Sequence, residues 1–182
     1  MSDRISIDRL NLAKLESART LAERLISICL ARHERIVTAE SCTAGLLGQT
    51  LSGCVGASIA FDGGFLTYTK QAKTKMLGVS ADLLTTHTAV HRLVAHAMAD
   101  GALLRGPGTI SLSVTGVTGD TPDEDGNPIG RVIMACATAH STHSLHCEFG
   151  HLVSPALNQM AVAVTLALAL QKLGDESVAT IF

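Results

Sequence analysis

Residues 35–52, RIVTAESCTAGLLGQTLS, hold the transition that decides the fold. Arg35 to Thr38 is a short strand-like run in which the β-branched Ile36 and Val37 suit a buried sheet position. Ala39 to Thr43 turns small and polar. Thr43 to about Ser52 then reads as a helix stopped near Gly53. A strand that runs almost directly into a helix is the unit from which α/β domains are built. Unpaired amides at the start of such a helix favour negative charge. Ser41 stands at that junction. Its hydroxyl would attack a carbonyl there while neighbouring amides stabilise the oxyanion. The competing reading makes Ser41 or Thr43 a plain helix cap, and pattern alone favours the cap.

Outward from this stretch, Leu15, Ala18, Ala22, Leu25 and Cys29 recur at helical spacing between Lys14 and His33. The first dozen residues are polar and expected to be loosely held. Ile59 to Tyr68 reads as a strand in which Gly63 and Gly64 mark a bulge or a close backbone approach. Lys70 to Leu77, closed by Gly78, fits a short helix, and Ala81 to Thr85 one further turn. Thr88 is placed to cap a helix that runs through Leu104 to the Gly106-Pro107-Gly108 break. Ile110, Leu112 and Val114 alternate with Thr109, Ser111 and Ser113 in a strand pattern. Two more strands follow, Ile129 to Thr138 and Ser144 to Phe149. Ser154, Pro155 and Gly174 frame a last helix as cap, first-turn residue and terminator. This order predicts one α/β domain over residues 1–182: three layers, α/β/α, around a mixed, mostly parallel sheet of about five strands.

Composition narrows the function. Of the 182 residues, 47% are hydrophobic and 3% aromatic, so the core rests on Ala, Val, Leu and Ile. A formal net charge of -2, with no Lys/Arg-rich run and a single Tyr, argues against a nucleic-acid partner. The five scattered cysteines fit reduced thiols in a cytoplasm. Ala161 to Leu170 is too short an apolar run to span a bilayer, which takes roughly 20 residues, so it reads as a buried helix. A homo-oligomer is compatible with the sequence.

A serine nucleophile needs a base, and the G-x-S-x-G elbow of His-based hydrolases is absent. Lysine serves when burial lowers its pKa. Lys70, Lys73 and Lys75 are the candidates, and only Lys73 shares a helix face with Thr69 and Leu77. Each alone is more simply a solvated lysine. Thr115 and Gly116 lie past the end of a central strand, the edge where α/β folds bind ligands, although a plain turn also explains them. Cys42 is an alternative nucleophile, and because adjacent residues point apart only one of Ser41 and Cys42 can face a site. His87 and His91 have a metal-compatible spacing without the three or four converging ligands a site requires, so no metal is expected. Asp120 to Gly126 fails the calcium-loop pattern and reads as a solvated acidic turn.

Four blocks in consecutive order, TAESCTAGLL, FDGGFLTYTKQAKTKMLGV, HTAV…AMADGALLRG and SVTGVTGD…PIGRV, closely resemble the CinA C-terminal domain family. The resemblance runs from about Val37 to Thr138. That family includes bacterial nicotinamide-nucleotide amidohydrolases of pyridine-nucleotide salvage, and its name refers to competence and DNA damage. The resemblance implies a metal- and cofactor-independent Ser–Lys amidase converting nicotinamide mononucleotide to nicotinate mononucleotide and ammonia. By motif, Ser41 would be the nucleophile, Lys73 the base, Tyr68 a hydrogen-bonding assistant and Thr115 a support for Ser41 or the leaving group. Cys42, Thr43, Gly45 and Gly116 would bind substrate, the amides near Cys42 and Thr43 holding the oxyanion. The small-molecule nucleotide is thus the implied partner.

The chain also departs from the family pattern. Ala44 stands for a usual glycine, Thr69-Lys70-Gln71 for S-N-E, and Thr118-Gly119-Asp120 for A-G-P. Residues 150–157, GHLVSPAL, lack the two arginines that relatives carry at the start of the last helix. If those arginines hold the nucleotide phosphate, this chain recognises its substrate otherwise. The departure motivates two rival readings: a catalytically impaired paralogue that binds a ligand or protein partner, or an amidase with a different, non-phosphorylated substrate.

Overall fold

The computed structural model describes residues 4–6, 10, 11, 13–151 and 154–182. In chain order the elements are β1 (Arg4–Ser6), α1 (Ala18–Arg32), β2 (Ile36–Glu40), α2 (Leu46–Ser52), α3 (Ala57–Ala60) and β3 (Phe61–Leu66). Then come α4 (Lys70–Ala72), continued by a π-turn (Lys73–Leu77), α5 (Ala81–His87), α6 (Arg92–Arg105) and β4 (Ile110–Gly116). β5 (Arg131–Thr138), β6 (Thr142–Glu148) and α7 (Ser154–Lys172) follow, with a 3-10 turn (Glu176–Val178) after them.

The strands form one sheet in the order β1-β6-β5-β4-β2-β3. β1–β6, β2–β3 and β2–β4 pair parallel, whereas β4–β5 and β5–β6 pair antiparallel. The sheet is mixed and mostly parallel as expected, with six strands rather than about five. The sixth is Arg4–Ser6, within the stretch expected to be loose, which pairs along β6 at one edge.

Helices cover both faces. Leu21, Leu25, Leu47, Leu51 and the run Ala161–Leu170 bury against Ile110, Leu112 and Met134 on one side. Val94, Met98 and Ala102 of α6 cover Val37 and Ala39 on the other, and Ala95 and Ala99 cover Ile133 and Ala135. Burying a side chain such as Leu112 contributes about 2 kcal/mol. Among the described residues no helix is long and apolar enough to cross a membrane.

The alternation in β4 gives two buried faces. Ser111 and Ser113 lie under α6 and donate to the carbonyls of Ala99 and Ala95, both at 2.7 Å. Small residues on α6 permit that approach. A Cβ added to Gly101 would stand 2.2 Å from the Leu77 carbonyl oxygen, so Gly101 sets how closely α6 approaches the π-turn.

Several boundaries differ from expectation. Helix α2 begins at Leu46, not Thr43, because Ala44 (φ 49°) and Gly45 (φ 100°) are left-handed. Ile59 and Ala60 belong to α3 rather than β3. Both glycine readings in β3 hold: the β2–β3 register slips between Ile36 and Val37, leaving Asp62 extra, and a Cβ on Gly64 would meet Thr38 Oγ1 at 2.0 Å. Thr88 (φ 66°) ends α5, whereas the cap of α6 is His91, whose Nδ1 accepts from Leu93 N–H at 3.3 Å. The Ser154 side chain, expected as the cap of α7, lies outside the described residues.

Two substitutions test this local account. Ala44→Gly relieves a left-handed alanine, partly offset by a more flexible unfolded chain, and should stabilise by about 0.5–1 kcal/mol. Thr38→Val removes a buried hydroxyl that has no hydrogen-bond partner among the described residues and should stabilise by about 1 kcal/mol. Urea midpoints measure both, and a fall in either midpoint contradicts the corresponding argument.

Candidate active site

Strand β2 is fully buried and ends on a carboxylate, Glu40, that is 2% exposed. Glu40 Oε2 accepts from the amides of Gly45 (3.0 Å) and Leu47 (3.1 Å) and from Thr43 Oγ1 (2.7 Å). Its Oε1 accepts from the amide of Gly48 at 2.8 Å. A buried carboxylate is tolerable only when so satisfied, and the start of a helix favours its charge. Glu40 therefore does the capping that Ser41 or Thr43 would otherwise do. The cap reading of Ser41 is overturned.

Ser41 is 7% exposed, and its amide is fixed to the Val114 carbonyl at 3.0 Å, tying the loop after β2 to β4. Its hydroxyl faces Lys73. Lys73 Nζ donates to Ser41 Oγ at 2.7 Å, to the Thr67 carbonyl at 2.7 Å and to the Tyr68 carbonyl at 3.3 Å. Three acceptors thus meet the three N–H bonds of the ammonium. Lys73 opens the π-turn, a backbone form common at functional sites, and is completely buried, as is Leu77 one turn on. Burial lowers the Lys73 pKa from the usual 10.5 to about 8. Lys70 and Lys75 are placed differently. Lys70 Nζ pairs with Asp125 at 2.7 Å and Glu124 at 3.2 Å, and Lys75 is exposed.

A cavity of about 390 Å³ opens beside the dyad. Ser41, Cys42, Tyr68 and Gly116 line it, together with the loop from Val117 to Asp125. The Tyr68 ring is largely exposed, and the Tyr68 group that reaches Lys73 and Ser41 is its carbonyl. Thr115 points to the other face of β4, where Oγ1 donates to the Ala89 carbonyl at 2.9 Å and holds that cavity-lining residue. Thr43 and Gly45 turn to Glu40 rather than to the cavity. Cys42 lines the cavity, but burial pushes its thiol up to about 12, which keeps it protonated and a poor nucleophile.

The sequence reading missed Glu40, Thr67 and Thr118. The signal for Glu40 was a lone acid closing an apolar strand just ahead of a turn rich in amide donors. Thr67 is buried, and its amide donates to the Glu40 carbonyl at 2.8 Å while its own carbonyl holds Lys73. Thr118 Oγ1 donates to the carbonyl of Cys42, another cavity-lining residue, at 3.4 Å. Outside the cavity, the rings of His87 and His91 stack at 4.4 Å and 12° instead of converging on one point. Among the described residues no group of three or more His, Cys, Asp or Glu is arranged to hold a metal.

Known proteins share this arrangement of sequence and fold. Residues 18–173 match the CinA C-terminal domain. A CinA-like protein of Solibacter usitatus is 41% identical over 117 residues, 64% of this chain and 28% of that protein. One from Syntrophobacter fumaroxidans is 38% identical over 146 residues, 80% of this chain and 34% of that protein. The chain thus spans about a third of the length of the curated relatives it matches. The crystal structure of a competence/damage inducible protein from Agrobacterium tumefaciens superposes with a TM-score of 0.82 at 33% identity, covering 85% of this chain and 94% of that one. A competence-damaged protein (CinA) superfamily member from Escherichia coli gives 0.82 at 33%, covering 86% and 90%. The match over most of the chain and the shared three-layer fold place this protein in the CinA C-terminal domain family.

Proposed function

We propose that the chain is a Ser–Lys amidohydrolase acting on the carboxamide of nicotinamide mononucleotide or a close relative. One observation carries this reading: a buried lysine whose amine lies 2.7 Å from a serine hydroxyl at the wall of a cavity. An amine with a pKa of about 8 is neutral in an appreciable fraction of molecules near neutral pH, so it can accept a proton.

In the proposed reaction Lys73 Nζ takes the Ser41 proton as Oγ bonds to the carboxamide carbon. The oxyanion would be held by the amides of Cys42 and Thr43, which among the described residues meet no carbonyl or Glu40 oxygen and face the neutral Cys42 thiol. Lys73 then returns the proton to the amide nitrogen, the C–N bond breaks, and ammonia leaves an ester on Ser41. Water adds to that ester with Lys73 again as base. The Ser41–carbon bond breaks, Ser41 regains its proton, and the carboxylic acid departs. The Thr67 and Tyr68 carbonyls keep the amine aimed throughout. Thr115 acts at one remove, fixing the Ala89 wall.

Residues 150–157 motivate a second reading, because they contain no arginine where the family resemblance leads one to expect two. On it the chain binds its ligand without turnover. Calorimetric binding of nicotinamide mononucleotide with no ammonia released distinguishes this reading from the first.

Ser41→Ala should lower ammonia release from the nucleotide by about a thousandfold or more, and equal rates would remove Ser41 from the chemistry. For the native protein kcat/KM should rise with pH to a plateau with a midpoint near 8, because only neutral Lys73 can serve as base. A flat profile between pH 6.5 and 9.5 contradicts that role.

Stability supplies an independent check. The folded pKa lies below the unfolded value of 10.5, so between about 8 and 10.5 the unfolded chain binds the extra proton. The penalty for burying the charge is full below 8 and is relieved as pH rises through that window. Relative to Lys73→Met, the native protein should therefore gain stability from pH 8 to 10.5 in urea titrations. A constant difference contradicts the shift.

A further inference from the structure

One part of the cavity lining is acidic, and its construction is specific. The loop between β4 and β5 brings Asp123, Glu124 and Asp125 to the cavity, where Lys70 is the cation facing them. Lys70 Nζ lies 2.7 Å from Asp125 and 3.2 Å from Glu124, which raises its pKa and keeps it charged but neutralised. The loop is fixed from within. Asp123 Oδ1 accepts from the amides of Asp125 (3.0 Å) and Asn127 (2.8 Å), and Oδ2 accepts from Asn127 Nδ2 at 2.8 Å. Asn127 Nδ2 also donates to Thr88 Oγ1 at 3.1 Å, so the acidic wall is anchored to the segment before α6. The root of the loop is tied as well. Arg131 Nε donates to Glu148 at 2.9 Å, and its Nη1 to Asn127 Oδ1 at 3.4 Å.

Three carboxylates against one paired ammonium leave the wall net negative. Even when Lys73 is protonated, the three carboxylates outnumber the two ammonium groups, so the pocket stays net negative. A dianionic phosphate monoester entering a partly desolvated cavity of this kind meets like charge at close range, and Lys70 can reach it only by leaving two carboxylates. A cation meets the opposite field. The cavity volume, about 390 Å³, lies at the small end of ligand sites and suits a nucleoside-sized molecule.

From this wall we propose that the pocket selects cationic carboxamides without a phosphate, such as pyridinium carboxamide nucleosides, over their phosphorylated forms. Glu124 and Asp125 are the residues that set this preference. The inference rests on the amidohydrolase reading for its chemistry, but its charge selection is a property of binding and can be read without turnover.

The test uses the full chain carrying Ser41→Ala, with nicotinamide riboside and its 5′-phosphate as probes in calorimetry, alongside ammonia release from both by the native protein. The riboside should bind on the order of tenfold more tightly at low ionic strength, and the ratio should shrink as salt is raised to about 0.5 M. Replacing the wall by Glu124→Gln with Asp125→Asn should collapse the ratio and free Lys70 for the phosphate. Should that variant fail to fold, the salt dependence of the two affinities in Ser41→Ala carries the test by itself. Tighter binding of the phosphorylated probe, or binding of neither, overturns the proposal. Ammonia from both with the phosphate preferred would overturn it while leaving the amidohydrolase intact. Tighter riboside binding with no ammonia from either compound supports the charge selection and removes the catalysis.

Discussion

The interaction on which the site depends is the burial of one amine. Lys73 lies wholly inside the protein with its charge balanced against a hydroxyl and two carbonyls rather than against a carboxylate. An anionic partner would hold the proton in place and raise the pKa. Neutral acceptors satisfy the N–H groups while leaving the desolvation penalty in force, and that balance is what makes a lysine a base near neutral pH. The surrounding structure has to maintain it against the ease with which a lysine chain reaches water.

Several features of the fold serve that end. The π-turn places Lys73 and Leu77 inward together, and Leu77 seats itself against α6, where Gly101 leaves no Cβ in the way. The acceptor carbonyls of Thr67 and Tyr68 come from the segment just after β3, which β2 fixes through the Thr67 amide on the Glu40 carbonyl. Ser41 is held from the opposite side by Val114 of β4. Two parallel neighbours of β2 therefore set the two halves of the dyad, and β2 itself supplies the carboxylate that relieves Ser41 of capping. Glu40 joins fold and site: it satisfies the α2 amides through a left-handed turn that includes Ala44, and so leaves the serine oxygen for the lysine.

Much of this was legible in the sequence, and the reasons differ by residue. The β2-to-α2 transition shows as a change from β-branched to small polar residues, which locates Ser41. Helical spacing puts Lys73 with Leu77 on an inward face, yet a solvated lysine would satisfy the same spacing, and only the family resemblance separated it from Lys70 and Lys75. Glu40 was invisible because its role depends on amides five to eight positions later adopting one turn geometry. In β4 the alternation of serines with aliphatics reveals a strand but not that α6 buries the hydroxyl face, since Ser111 and Ser113 become apolar neighbours only when their hydroxyls find Ala99 and Ala95 carbonyls. Thr88 and His91 each have cap chemistry, and the choice between them is made by backbone angles that no single residue type dictates.

Direct titration of the Lys73 side chain tests the central claim most simply. With isotopically labelled lysine and Lys73→Arg for assignment, the Cε resonance followed by NMR should titrate with a midpoint near 8, apart from the other lysines. A midpoint near 10.5, the value of a lysine in water, would mean that the amine keeps its proton and cannot serve Ser41 as a base.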